Sequence, residues 1–163
     1  MNESRHLSRL VNASRLMETY LDTCNLNKAL TFNSQCNPKL VQGAIDSSLA
    51  TAEEILGYAE EEFDKAMKVK DMLLYRNAVD KALLSMIVAA NSYIALKLNI
   101  TPKSHSERRS LLRKIDREDL RVLYSDVMRT LHDEAFYEGV YNPEEAKYAI
   151  TLVKKMLEEF KKG

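Results

Sequence analysis

The sequence predicts an all-α protein, an up-and-down bundle of five or six helices with an N-terminal helical extension. Three observations carry this. Strong helix formers (Leu, Ala, Glu, Lys, Arg and Met) dominate, while only 4 Gly and 3 Pro punctuate 163 residues, too few for many short strands. Residues 82–96 form an apolar run interrupted only by Ser85, Asn91 and Ser92, with no charge on any face. A surface helix would carry charge along one side, so this run predicts a central helix enclosed by others. It falls short of the roughly 20 apolar residues that a bilayer span needs, and no membrane role is expected. Third, Ile45, Leu49, Ala52, Leu56, Ala59, Phe63 and Ala66 are spaced 4, 3, 4, 3, 4, 3. That is a heptad seam suited to near-antiparallel packing.

The elements follow in order. Residues 4–22 read as a first helix, with Leu7, Leu10, Val11, Met17, Tyr20 and Leu21 at threes and fours. An Asn-, Thr- and Ser-rich connection occupies 23–37 and is long for a compact domain. The domain reading is a single helical chain, 1–163, with 1–37 as an extension and 38–163 as the bundle. Asn37-Pro38 predicts an N-cap and first helical position, opening a helix to about Val69 whose outer face carries Glu53, Glu54, Glu60, Glu61 and Asp64. Gly57, inside that pattern, is expected to mark a close helix contact.

Lys70-Asp71 offers a break before the central helix, 72–98, and 99–103 offers another. Ser104-His-Ser-Glu107 reads as a capping box opening a short helix to about Lys114. Asp116 is expected to cap the next helix, 117–138, with Glu118 and Asp119 matching the macrodipole. Its buried face is expected to be Leu120, Leu123, Tyr124, Val127, Met128, Leu131 and Ala135, with Gly139 at its C-terminal cap. Asn142-Pro-Glu-Glu145 starts the last helix, which is expected to bury Ala146, Ala149, Ile150, Val153, Met156, Leu157 and Phe160.

Several chemistries are tested by spacing. A di-iron bundle needs Glu-x-x-His pairs, but Arg129 precedes His132 by three and Pro102 precedes His105 by three. Cys24 and Cys36 lack the partners for a structural zinc site. There is no phosphate-binding Gly loop and no Gly-x-Ser-x-Gly elbow. No metal, cofactor or catalytic residue is therefore assigned. The N-terminus carries charge from its third residue and no apolar core, so no signal peptide is expected and the cytoplasm is the expected compartment. Cys24 and Cys36 are then free thiols by default, a disulfide being the alternative known from some hyperthermophile proteins.

Of the three histidines, His6 reads as surface, His105 as a helix first-turn residue, and His132 as the one beside an apolar face. On a helical wheel Arg121, Ser125, Arg129, His132 and Phe136 share one flank. The plain reading is a half-buried flank; the sharper one is a ligand or RNA contact strip, or a dimer seam. Formal net charge is zero but unevenly spread. Residues 101–121, including Arg108, Arg109 and Arg121, carry seven bases against four acids, and 38–70 carry four bases against seven acids. The basic segment could attract phosphate, against the alternative of a solvated or complementary face.

Residues from about 44 to 160 resemble the HEPN superfamily of helical bundles (higher eukaryotes and prokaryotes nucleotide-binding). The residues that carry the likeness are Tyr75-Arg-Asn-Ala78 leading into the buried helix, and the turn Pro102-Lys-Ser-His105. Leu131-His-Asp-Glu-Ala-Phe-Tyr-Glu-Gly139 and the acidic start Asn142-Pro-Glu-Glu145 complete it. The likeness is greatest to small archaeal and bacterial HEPN-like proteins that pair as dimers. It implies a homodimer that binds nucleotide or RNA, or that partners a nucleotidyltransferase. Some members are metal-independent RNases, often toxins, with Arg, four to six residues, then His. That spacing is absent here: two residues separate Arg129 from His132, and ten separate Arg121 from it. The expectation is thus a non-catalytic HEPN-like binding or interaction module. The alternatives are an RNase of toxin type using Arg129 and His132, and a structural or assembly protein.

Overall fold

The structure is a computed structural model and describes residues 38–162. The expected first helix, the 23–37 connection, His6, both cysteines and the side chain of Ile45 lie outside the described residues. The chain divides between Pro38 and Lys39 into two units, and the second is all-α, with no strand among the described residues.

Helix α1 spans Pro38–Val69, α2 Met72–Leu98, α3 His105–Lys114, α4 Glu118–Val127 and α5 Pro143–Lys162. Between α4 and α5 the chain runs on without a break as a π-helix, Met128–Tyr137. On α1 the seam is buried as spaced: Leu49, Ala52, Leu56, Ala59, Phe63 and Ala66 face inward, joined by Ile55. Gly57 does not mark a close contact, because a Cβ there would meet nothing within 4 Å. The small residues at the packed face are Ala52, Ala59 and Ala66, all fully buried.

Helix α1 ends in a left-handed residue, Lys70 at φ 53°, and the Asp71 N–H closes back on the Ala66 carbonyl at 3.1 Å. This is the six-to-one bond of a Schellman cap. Asp71 then caps α2, its carboxylate accepting from the Leu73 and Leu74 N–H groups at 2.8 and 3.2 Å. The reversal therefore takes two residues and sets α2 back along α1. Ser85, one of the three polar interruptions of the apolar run, donates to the Ala52 carbonyl of α1 at 2.6 Å. Lys81 pairs with Glu62 lower on the same contact.

Helix α2 is the core. Ala82, Leu83, Met86, Ala89, Ala90, Tyr93 and Ile94 are buried around its circumference. At 27 residues the whole helix is long and apolar enough to cross a membrane by length and composition, so the length argument from 82–96 does not extend to it. What distinguishes α2 is its covering, since 61% of its most apolar window is buried by the rest of the protein. Helix α5 supplies part of that cover through the face expected for it, with Phe160 against Tyr93 at 4.9 Å between ring centroids. Its flank reaches α1 through the Lys154–Glu60 and Lys161–Glu53 ion pairs.

Two caps differ from expectation. Ser104 caps α3 by accepting from the Glu107 N–H at 3.1 Å, but the Glu107 carboxylate returns to the Lys103 N–H at 2.7 Å, one residue further out than in a capping box. Asp116 does not cap α4. It sits at φ 63° and ends α3, with the Arg117 N–H bonded to the Leu112 carbonyl at 3.0 Å. Asp tolerates the left-handed region better than most residues, which is why it serves as a C-terminal cap here. Arg117 instead holds the start of α4, gripping Asp119 with two bonds of 3.0 and 2.9 Å.

The helix expected over 117–138 is interrupted by the π geometry. Leu120, Tyr124, Val127, Met128, Leu131 and Ala135 are buried as expected, but Leu123 is only half-buried. Glu138 N–H bonds to the Asp133 carbonyl at 2.9 Å, the five-residue step of a π-helix. Gly139, at φ 69°, ends the segment as expected, and Asn142 caps α5 by accepting from the Glu145 N–H at 3.3 Å.

Candidate functional site

The π segment brings together residues that sequence spacing keeps apart. His105 opens α3, and its position follows from the Ser104 cap beside it. His132 lies on the π segment, and the two imidazole centroids are 5.5 Å apart. Tyr124, fully buried on α4, shares a 2.7 Å hydrogen bond with Nδ1 of His105.

Two arginines bear on that bond. The Arg108 guanidinium lies beside Tyr124, and its charge favours the ionised phenol, as does that of Arg109. Burial pushes the Tyr124 phenol up to about 12, against the opposing pull of Arg108 and Arg109, so that proton is retained. With Nε2 of His105 protonated the phenol donates to Nδ1, and with Nδ1 protonated the phenol oxygen accepts. The His105 pKa is lowered by burial first, then by the charge of Arg108, by His132 and by Arg109, with Asp133 opposing.

Arg108 extends the network to the core helix. It is 6% exposed, and its Nε donates to Oδ1 of Asn91 at 2.7 Å. Asn91, an interruption in the apolar run of α2, is thus the far end of a chain that passes through Arg108 and Tyr124 to His105. The hydrogen-bond partner of this buried guanidinium, the Asn91 amide, is neutral, as is the Tyr124 phenol beside it. The network carries positive charge inward without cancelling it.

Around His132 the neighbours are aromatic. Phe136 stacks parallel at 6.5 Å, and Tyr137 meets it edge-on at 4.8 Å and 88°. Nδ1 of His132 is buried, with no hydrogen-bond partner among the described residues. Arg76 reaches over from α2, donating to the Phe136 carbonyl at 2.5 Å with its guanidinium 5.4 Å from the Phe136 ring centre. Carbonyls in the last turn of a helix lack internal partners and carry its negative end, so a cation is the favoured occupant.

The expected flank does not act as one strip. Arg121 pairs with Glu118 at 2.6 Å, and Ser125 donates to the Arg121 carbonyl at 2.9 Å, so both bond within α4. Arg129 is exposed on the π segment, and Arg109 is half-buried on α3. Of the residues expected at the site, His105, His132, Arg108 and Arg109 are brought into one neighbourhood, with Arg129 on the same segment as His132. Much of the remaining basic charge is matched, Arg113 by Glu118 and Arg117 by Asp119 and Glu159. Sequence reading missed Tyr124, taken only as core, and Arg76, Asn91 and Tyr137. The lone amide in an uncharged run was a signal for Asn91; nothing in the spacing pointed to Arg76.

Two imidazoles and two arginines, Arg108 and Arg109, meet at this corner, and Nδ1 of His132 lies buried within it. No group of three or more His, Cys, Asp or Glu side chains suited to a metal occurs among the described residues. No family model, curated protein or solved structure matches this chain. The class that fold and site define is an all-α bundle with a His–Tyr–Arg corner at a junction of α- and π-helix.

Proposed function

We propose that this chain is a non-catalytic HEPN-like binding module that holds a phosphate-bearing ligand, a nucleotide or RNA, where α3 meets the π segment. The observation that carries the reading is the approach of His105 to His132, 5.5 Å between rings, beside an arginine network with neutral partners. A phosphate oxygen is drawn there by the charge of Arg108 and Arg109 and accepts from imidazole N–H at His105, and π segments recur at functional sites. The sequence resemblance over 44–160 supports the same reading, with a second copy of the chain or a nucleotidyltransferase as partner.

Fluorescence anisotropy with a labelled RNA, at two salt concentrations, tests it. Binding should weaken with salt, as phosphate contacts do. The double change Arg109→Ala and His132→Ala should weaken it by roughly tenfold or more, the effect of losing about 1.4 kcal/mol. An anion beside His105 favours its protonated form, so binding takes up a proton and affinity should rise as pH falls from about 8 to 6. Wild-type protein that binds neither RNA, nucleotide nor pyrophosphate at low salt would sink the reading. Light scattering tests the second copy separately: a monomer removes the dimer.

A second reading, metal-independent RNA cleavage of toxin type, is favoured by the same imidazole pair, since two adjacent imidazoles are suited to general acid and base work. Incubation with total RNA in EDTA separates the two. Cleavage by wild type, abolished by Arg129→Ala with His132→Ala, selects the enzyme.

A further inference from the structure

We infer that Tyr137 is a stacking platform for an unpaired base, so that the ligand of the corner is single-stranded nucleic acid. The inference rests on the phosphate reading of the corner and adds the other half of the nucleotide to it. Tyr137 is 72% exposed, more than any other exposed large apolar side chain in the described residues. Apolar surface of that size is costly to leave in water, yet this ring is also held in place. It meets His132 edge-on at 4.8 Å and Phe136 at 5.8 Å and 82°. Phe136 is in turn fastened by the Arg76 guanidinium. An exposed ring braced by two perpendicular rings is a surface already ordered for a flat partner, so little conformational freedom is lost on stacking.

Its position also fits. Tyr137 touches His132, and His132 touches His105, so an aromatic platform is followed at once by the polar corner. A nucleotide has the same layout, a flat base joined through one sugar to a phosphate. Single-stranded nucleic acids are bound by this combination of an aromatic platform with a cationic track. In a duplex both faces of a base are already stacked, so the platform selects unpaired bases. Tyr148 is a built-in control: it is 61% exposed on α5.

The test compares a short labelled oligoadenylate with a duplex of equal length, and with pyrophosphate as competitor. The proteins are wild type, Tyr137→Ala, Tyr137→Phe, Tyr148→Ala and the Arg109→Ala/His132→Ala double change, each checked by thermal unfolding. Tyr137→Ala should weaken oligoadenylate binding roughly tenfold, the range for loss of one stacked base, while leaving pyrophosphate competition in place. Tyr137→Phe, which keeps the ring, should restore affinity to within about twofold, and Tyr148→Ala should change nothing. Unchanged oligoadenylate affinity in Tyr137→Ala, alongside loss in the double change, overturns the platform and leaves the phosphate site standing. Equal loss of single-stranded and duplex binding in Tyr137→Ala also overturns it. No binding of oligoadenylate or pyrophosphate by wild type removes both readings.

Discussion

The contact of α2 with α5 and the corner of α3 with the π segment are both ordered interiors, built by opposite means. In the first, Tyr93, Phe160, Val153, Met156 and the alanines of α2 pack apolar surface against apolar surface. In the second, Tyr124, Arg108, Asn91, His105 and His132 meet through directed bonds and ring contacts. The first is held by area, which tolerates rearrangement among side chains of similar volume. The second is held by partners, and each lost partner strands another polar group. One region supplies stability and the other supplies a place where stability is not complete.

Four measurements sharpen that contrast. Phe160→Ala, in the area-built contact, should cost most, about 3–5 kcal/mol by urea unfolding, with oligonucleotide affinity unchanged where the protein is folded. Tyr124→Phe, in the partner-built corner, removes a single oxygen and should still cost about 1–3 kcal/mol, because Nδ1 of His105 loses its partner. The same change should alter the alkaline limb. The phenol of Tyr124 is raised from 10.0 to about 12, so the unfolded chain ionises first and stability falls as pH rises across that interval. Without the phenol that part of the fall disappears. A cost below about 0.5 kcal/mol would place Tyr124 with the apolar core instead.

Ser85→Ala, which removes a buried side-chain bond from α2 to the α1 backbone, should cost about 1 kcal/mol. A larger loss would mean that the area-built region also depends on partners. The smallest effect expected is the acid limb of His105. Its pKa is lowered on folding, so below about 6.5 the unfolded state binds the proton first and stability falls with acidification. His105→Gln should flatten this limb, read as the change of urea midpoint between about pH 7 and pH 5. An unchanged limb would remove His105 as its source.

Much of the fold was legible because apolar spacing survives any helical geometry. The bounds of α1, α2, α3 and α5 follow from the breaks and polar starts between them, and the buried faces of α1, α2 and α5 from Leu49 to Ala66, from the uncharged run of α2, and from Ala146 to Phe160. The caps were less legible. Lys70, Asn99 and Asp116 all adopt left-handed backbone without being glycine, and only Gly139 announced itself. Of the candidate site, His105, His132, Arg108 and Arg109 were singled out from the sequence, while Tyr124, Asn91, Arg76 and Tyr137 were not, and neither was the grouping. Met128, Leu131 and Ala135 keep α-like spacing through the π segment, so the pattern gives no sign that the backbone has widened. The flank from Arg121 to Phe136 assumed uniform turns, and that assumption fails at Met128.

The sequence by itself determined the class, the order and the core. Those depend on period and composition, which each segment carries locally. Only the tertiary structure decided that His105 meets His132, that Tyr124 bonds to Nδ1 of His105, and that Arg76 closes the Phe136 carbonyl. These contacts join α2, α3, α4 and the π segment across separations of up to 60 residues, and no local pattern encodes a partner that far away. The hydrogen-bonding capacity of each group was readable in advance; which group would satisfy it depended on how the helices pack.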